Sequence, residues 1–227
     1  MQNIRQFFDK NMELQDFSLI ETFLFIPGQG YRYLAEHLQR MATSSHILDF
    51  NFQEHFMRNQ LDFLQTRIPA HHPGKIRITL KRAGQFDITY MPVHTIKQPY
   101  RHKRIIFSND RTDANDLFYY HKTTRRKLYQ QQYQLFCIER DYYEVVFCNH
   151  QGFVTEGSSS NIFIQLPGDP VIYTPQANTG LLQGIMRARL LHRLPQIEET
   201  FLTKEQVYQA KRIWLTNSVR GIVQVFM

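Results

Sequence analysis

Apolar residues along the 227-residue chain follow two rhythms, a period of two and a period near 3.6, and the switches between them outline the elements. Residues 17–26 form an apolar run closed by the turn Pro27-Gly28-Gln29-Gly30, which predicts a strand. Leu34, Leu38, Met41 and Ala42 then recur at helical spacing, and Arg40 lies off that stripe. A polar helical stretch is expected over 52–67. Residues 75–82 alternate as a strand, turn at Ala83-Gly84 and return over 86–93, which predicts a hairpin.

The second half opens with a short strand at 104–107 and a polar loop rich in Asn and Asp. Tyr119 to Tyr129 then lead into a helix. Strands 142–148 and 153–156 are joined by Asn149-His-Gln-Gly152, and 161–166 and 171–174 pair across Pro167-Gly168-Asp169. A helix runs from near Gly184 to Pro195. Thr203 and Gln206 form a capping box, with Leu202 and Val207 as its staple, opening a helix over 204–210. Residues 213–217 are expected to be the last strand. Residues 96–104, with Pro99 and four basic residues, lack periodicity and predict a connection between two subdomains. Mostly antiparallel strands without regular βαβ alternation predict an α+β fold.

Composition narrows the class. With 42% hydrophobic, 21% charged and 14% aromatic residues, the chain buries a core and is not disordered. The first twenty residues interleave charge with apolar positions and read as neither a signal peptide nor a membrane span. Cys137 and Cys148 lack metal-ligand spacing and are expected to be buried free thiols in a reducing, cytoplasmic setting. The net charge of +7 is spread over short basic groups, without a zinc-finger or RNP signature. Small anionic ligands are therefore expected ahead of nucleic acid.

Lys122 follows Phe118, Tyr119, Tyr120 and His121 and precedes Arg125, Arg126 and Lys127. Desolvation and neighbouring cations disfavour its ammonium form, leaving an amine able to attack a carbonyl. Taken alone, it reads as readily as a solvated surface lysine. Glu156 ends a strand before the small polar loop Gly157-Ser-Ser-Ser-Asn161. A carboxylate beside a pyridine nitrogen would keep that nitrogen protonated and the ring electron-accepting. Gly184 opens a helix whose free N–H groups and dipole would attract a phosphate. Arg40 could add charged hydrogen bonds and Ser218 a hydroxyl.

The segments carrying these residues, Phe17-Ser-Leu-Ile-Glu-Thr22, Glu36-His-Leu-Gln-Arg40, His121-Lys-Thr-Thr-Arg-Arg126, Val154 to Asn161, Tyr173-Thr-Pro175, Gly180 to Arg187 and Thr216 to Gly221, have a recognisable order. Over roughly Phe17 to Val225 the chain resembles the class IV aminotransferases. These are fold type IV enzymes of pyridoxal 5'-phosphate (PLP), among them branched-chain and D-amino-acid aminotransferases and 4-amino-4-deoxychorismate lyases. The resemblance implies subdomains 1–98 and 99–227 with PLP in the cleft between them, and a homodimer. It makes Lys122 the Schiff-base lysine and Glu156 the partner of the pyridine nitrogen. Arg40, Ser218 and the N–H groups of Ile185 and Met186 would surround the phosphate, with Ser160, Asn161, Gly184 and Asn217 also touching the cofactor.

The wording HKTTxR and TNSxRG is most similar to the lyases, which implies conversion of 4-amino-4-deoxychorismate to 4-aminobenzoate and pyruvate, a step toward folate. Arg126 and Arg220, by motif position, and Arg77 and Arg82 are the candidate partners of substrate carboxylates. Branched-chain members place a tyrosine soon after the lysine, where this chain has Arg126 and Lys127 and reaches only Tyr129. A branched-chain or D-amino-acid aminotransferase is the second reading, and a non-catalytic basic binding protein the third. The expected partner is a small anionic amine, with no metal, nucleic acid or membrane.

Overall fold

The structure is a computed structural model that describes residues 17–68, 72–93 and 103–227. Strand β1 (Leu19–Ile26) is joined by a tight turn to the short β2 (Gly30–Tyr31). Helices α1 (Leu34–Leu48) and α2 (Glu54–Gln65) follow, then the hairpin β3 (Gly74–Leu80) and β4 (Phe86–Pro92). The four strands form one antiparallel sheet in the order β2-β1-β3-β4.

Alternation decides which face is which. Gly74, Ile76, Ile78 and Leu80 of β3 are buried, whereas Lys75, Arg77 and Thr79 point the other way. The buried face packs with Phe23 and Phe25 of β1, Leu38 and Met41 of α1, and Met57 and Leu61 of α2. The stripe of α1 is more polar than expected: His37, Ser44 and Ser45 are buried beside Leu38, Met41 and Leu48.

The second half begins with β5 (Ile105–Thr112), parallel to β6 (Glu144–Asn149), which is antiparallel to β7 (Val154–Gly157). Between β5 and β6, α3 (Lys127–Tyr133) runs into a π-helical turn at Gln134–Ile138 that packs Phe136 and Cys137 against Val145 and Phe147. A five-stranded sheet follows, its strands β8 (Asn161–Gln165), β9 (Ile172–Pro175), β10 (Ile197–Thr200), β11 (Arg212–Asn217) and β12 (Gly221–Val225) ordered β10-β9-β8-β11-β12. Helices α4 (Ile185–Arg193) and α5 (Lys204–Gln209) complete the chain, and the capping box of Thr203 and Gln206 is formed.

Three elements depart from the sequence expectation. β5 continues to Thr112 through a polar stretch, because it is an edge strand interrupted by a bulge between Phe107 and Arg111, where polar residues meet solvent. β10 joins β9 in parallel, and β12 extends the sheet beyond β11 with Gly221, Val223 and Val225 buried in alternation. Both cysteines are free and buried. No helix among the described residues is long and apolar enough to cross a membrane.

The expected subdomain boundary at 98/99 lies outside the described residues. Two large cores are separate, one built from residues 17–80 with Phe118, the other from 105–225. Phe118 crosses over: its ring meets Phe17 edge-on at 5.0 Å.

Arg82 is not in the cleft. It follows the end of β3, and its Nη1 donates to the carbonyls of Leu48 (2.7 Å) and Asp49 (3.0 Å) at the end of α1, with the guanidinium 4.7 Å over Phe50. Its position fits a helix C-terminus, where cations are favoured. Arg82→Ala should therefore cost about 1 kcal/mol of stability and lower the melting temperature by about 2–4 °C. Ligand affinity in the cleft should be unchanged, and a calorimetric loss of affinity at normal melting temperature would contradict the assignment.

Candidate active site

Between the first sheet and the second half lies a cavity of about 750 Å³. Residues 122–124 run along the start of β1 as an extra rung: Ile20 N–H donates to the Lys122 carbonyl (2.8 Å), and Thr124 N–H to the Ser18 carbonyl (2.9 Å). The Thr124 hydroxyl accepts from Ser18 N–H at 2.9 Å. This pairing aims the partly buried Lys122 into the cavity. Burial, then the charges of Arg126 and Arg40, pull its ammonium down to about 7, against the weaker opposing effects of Glu21 and Glu156.

Glu156, on β7, lines the same cavity and is 4% exposed. Tyr129 donates to its Oε1 at 3.0 Å and Asn161 to its Oε2 at 3.4 Å. Burial raises its carboxyl to about 7, and Arg126, the Leu182 N–H and Tyr129 only partly offset this. A cation arriving against Glu156 would ionise it fully.

Arg40 reaches the cavity from α1. Its Nε and Nη2 each donate at 2.8 Å to the two oxygens of Glu21, and its Nη1 donates to the Gln183 carbonyl at 3.0 Å. His37 Nδ1 meets the same carboxylate at 2.6 Å. Burial alone would raise the Glu21 carboxyl, but Arg40 and then His37 hold it at about 2. Two of the five guanidinium N–H groups remain for a ligand.

Helix α4 starts at Gly184 with no side-chain cap, so its first N–H groups are available at the cavity wall. The glycine is required: a Cβ there would overlap the Asn161 Oδ1. Asn161 also donates to the Leu182 carbonyl at 2.8 Å, tying β8 to the helix start. On the exit of β11, Asn217 accepts from the N–H groups of Val219 (3.1 Å) and Arg220 (2.7 Å) and donates to the Ser159 carbonyl (3.1 Å). This turn presents Ser218 to the cavity, beside Thr216, whose buried hydroxyl has no hydrogen-bond partner among the described residues.

Of the residues expected from sequence, Lys122, Arg40, Glu156, Ser160, Asn161, Gly184, Ile185, Asn217, Ser218, Arg126, Arg220 and Arg77 all line this one cavity. Met186 is buried in the first turn of α4 and is not part of the lining, and Arg82 lies elsewhere. Arg220 lines the cavity but is already engaged, donating to Ser159 Oγ at 2.6 Å and to Glu144 Oε2 at 3.4 Å.

Glu144 was not foreseen. Fully buried, it accepts from the hydroxyls of Ser158, Ser159 (2.9 Å) and Ser160 (3.0 Å) and from Val145 N–H (3.2 Å), which fixes the Ser158–Ser160 loop. Glu21 was also missed as a functional residue, although it shares the inward phase of Leu19, Phe23 and Phe25, a place where a carboxylate needs a partner. Tyr129 and Glu144 carried a fainter signal, a polar group at an inward helix or strand position.

With the geometry in hand, comparison with known proteins identifies the class. The chain belongs to the aminotransferase class IV family, whose family model, described as "Amino-transferase class IV", matches residues 18–226. A Schizosaccharomyces pombe protein named "Putative aminodeoxychorismate lyase" is 27% identical over 214 residues, 92% of this chain and 89% of that one. A crystal structure of a "Putative amino-acid aminotransferase" from Mesorhizobium loti superposes with a TM-score of 0.84 at 28% identity, covering 92% of this chain and 99% of that one. A Mycobacterium tuberculosis protein described as "A hypothetical aminotransferase", in its PLP-bound form, shares the fold, with a TM-score of 0.80 at 19% identity, over 92% of this chain and 80% of that one. The family is PLP-dependent.

Lys122 and Glu156 impose opposite pH dependences on the ligand-free protein. The raised Glu156 contributes stability below the unfolded value of 4.5 that is lost as pH rises through about 7. The depressed Lys122 binds its proton less tightly folded than unfolded, so stability recovers as pH rises from about 7 toward 10.5. Chemical denaturation across pH should show a trough near neutrality. Glu156→Gln should flatten its acid side and Lys122→Met its alkaline side; slopes unaffected by either variant would refute these environments.

Proposed function

We propose that the cavity binds PLP, covalently attached through Lys122, and that the protein is a lyase converting 4-amino-4-deoxychorismate to 4-aminobenzoate and pyruvate. One observation carries the cofactor assignment: an amine near neutrality, a buried carboxyl with no ion pair among the described residues, and an uncapped helix start with Arg40 and Ser218 surround one cavity. These donors match the aldehyde, ring nitrogen and phosphate, and the unpartnered Thr216 hydroxyl adds a further donor.

Bound there, the cofactor supplies an aldehyde for an amine and a protonated ring that accepts electrons from the carbon next to that amine. Glu156 holds the proton at the ring nitrogen, and ionises as it does so. Arg40, oriented by Glu21, shares the phosphate with the N–H groups opening α4 and the Ser218 hydroxyl. Lys122, whose amine burial and the charges of Arg126 and Arg40 hold down at about 7 in the ligand-free protein, would be the base for the proton on the amine-bearing carbon. Arg126 and Arg77, both facing the cavity, orient the substrate carboxylate; Arg77 is lowered by burial and by Arg126, and an anion between them relieves that repulsion.

Support for the lyase over the transaminase comes from the name of the S. pombe relative, matched over nearly the whole of both chains. The surplus of cations lining the cleft fits a substrate with two carboxylates. The M. loti structure keeps amino-acid transamination as the second reading.

Protein purified with PLP should show visible absorbance that borohydride removes, with the adduct on the peptide carrying Lys122. Wild type should release pyruvate from aminodeoxychorismate, and Lys122→Ala should lose at least roughly a thousandfold in rate. An enzyme inactive there that converts bound cofactor to its amine form with an amino acid would establish the transaminase instead.

A further inference from the structure

The cleft lining holds Arg40, Lys75, Arg77, Lys122, Arg126 and Arg220 against a single carboxylate, Glu156. Their partners sort these cations. Arg40 is paired with Glu21 and Arg220 with Glu144. Lys122 is held near neutrality. Lys75, Arg77 and Arg126 remain, and among the described residues none of them forms an ion pair with a carboxylate, although Arg126 is near enough to Glu156 to act on it. Arg126 is occupied in part, since its Nη2 donates to the Ser158 carbonyl and its guanidinium sits 4.7 Å over Tyr129.

The three line the same cavity. Arg77 is close enough to Arg126 for each to feel the other's charge. Lys75 stands two residues from Arg77 on the same face of β3, about 7 Å along the strand. There it lies across from Met91 in the register with β4, and Met91, Pro92 and Val93 line the cavity beside it. An unpaired cation next to an apolar rim suits an acid group on a flat hydrocarbon body. A ligand with one acid group held at Arg126 and Arg77 would leave Lys75 unused.

We infer that Lys75 is a specificity-determining residue: with Arg77 it forms an outer anion site that selects cyclic diacids over monoacids. The site rests on the functional reading only in placing the reacting amine near Lys122, and its ligand class is set by the three cations themselves. Because the pair is partly solvated, its effect is modest and salt-sensitive.

The test is calorimetric titration of the PLP-loaded protein with benzene-1,3-dicarboxylate and with benzoate. Wild type should bind the diacid about two- to fivefold more tightly than the monoacid, the scale of one partly exposed charge contact. Lys75→Gln should bring the ratio close to one without changing benzoate affinity, which also reports that the variant is folded. Lys75→Met should behave alike, Lys75→Arg should restore the preference, and added salt should shrink it in wild type. Equal affinities in wild type, or a preference that survives both neutral variants, would overturn the inference.

Pyruvate release in the same preparations separates the two readings. A wild type that prefers the diacid but releases no pyruvate from aminodeoxychorismate removes the lyase assignment and leaves the anion site standing. Release with the same KM in wild type and Lys75→Gln removes the anion site and leaves the lyase.

Discussion

The short pairing between residues 122–124 and the start of β1 is the contact on which the site depends. Two backbone hydrogen bonds and one accepted by the Thr124 hydroxyl attach the segment of Lys122, which belongs to the second half of the chain, to the sheet of the first. The neighbouring His121 is buried and bonded to Ser44 of α1 at 2.9 Å, so the anchor has a second point on the same half. Fixed in this way, Lys122 sits where it feels Arg40 from α1 and Arg126 from its own loop. Without that attachment, the lysine would be a solvated side chain with an ordinary ammonium.

Around it, the protein keeps charge under close control. Two carboxylates are consumed in holding arginines: Glu21 in fixing Arg40, and Glu144 in fixing Arg220 with the three serines. Removing one partner of such a buried pair strands the other, which is costly. Among the described residues Glu156 forms no ion pair, and burial raises its carboxyl more than Arg126 and Lys122 lower it. The contrast between Glu21 at about 2 and Glu156 at about 7, both carboxyls and both buried, follows from that difference in partners.

Much of this was legible in the sequence, for physical reasons. Lys122, Glu156, Gly184 and Ser218 fall in loops, at element ends or beside glycine, Arg40 lies off the apolar stripe of α1, and their order along the chain matches a family pattern. Arg82 does not line the cavity, in keeping with strand parity: Lys75, Arg77 and Thr79 share a face, and position 82 lies past the end of the strand. The engagement of Arg220 depends on Glu144, 76 residues away, and no local pattern reveals a partner at that separation. β10 and β12 are short strands stabilised by neighbours already in the sheet, so their own sequences carry little signal. The bulge that lengthens β5 is likewise a tertiary effect.

The account is tested most directly by titrating the Lys122 amine itself in the ligand-free protein, through the pH dependence of its acetylation rate measured peptide by peptide. Half-reaction near pH 7, with exposed lysines in the same digest titrating near the ordinary 10.5, is the expected result. A Lys122 that titrates with the exposed lysines would show that burial, Arg126 and Arg40 do not act on it, and the site as described would not exist.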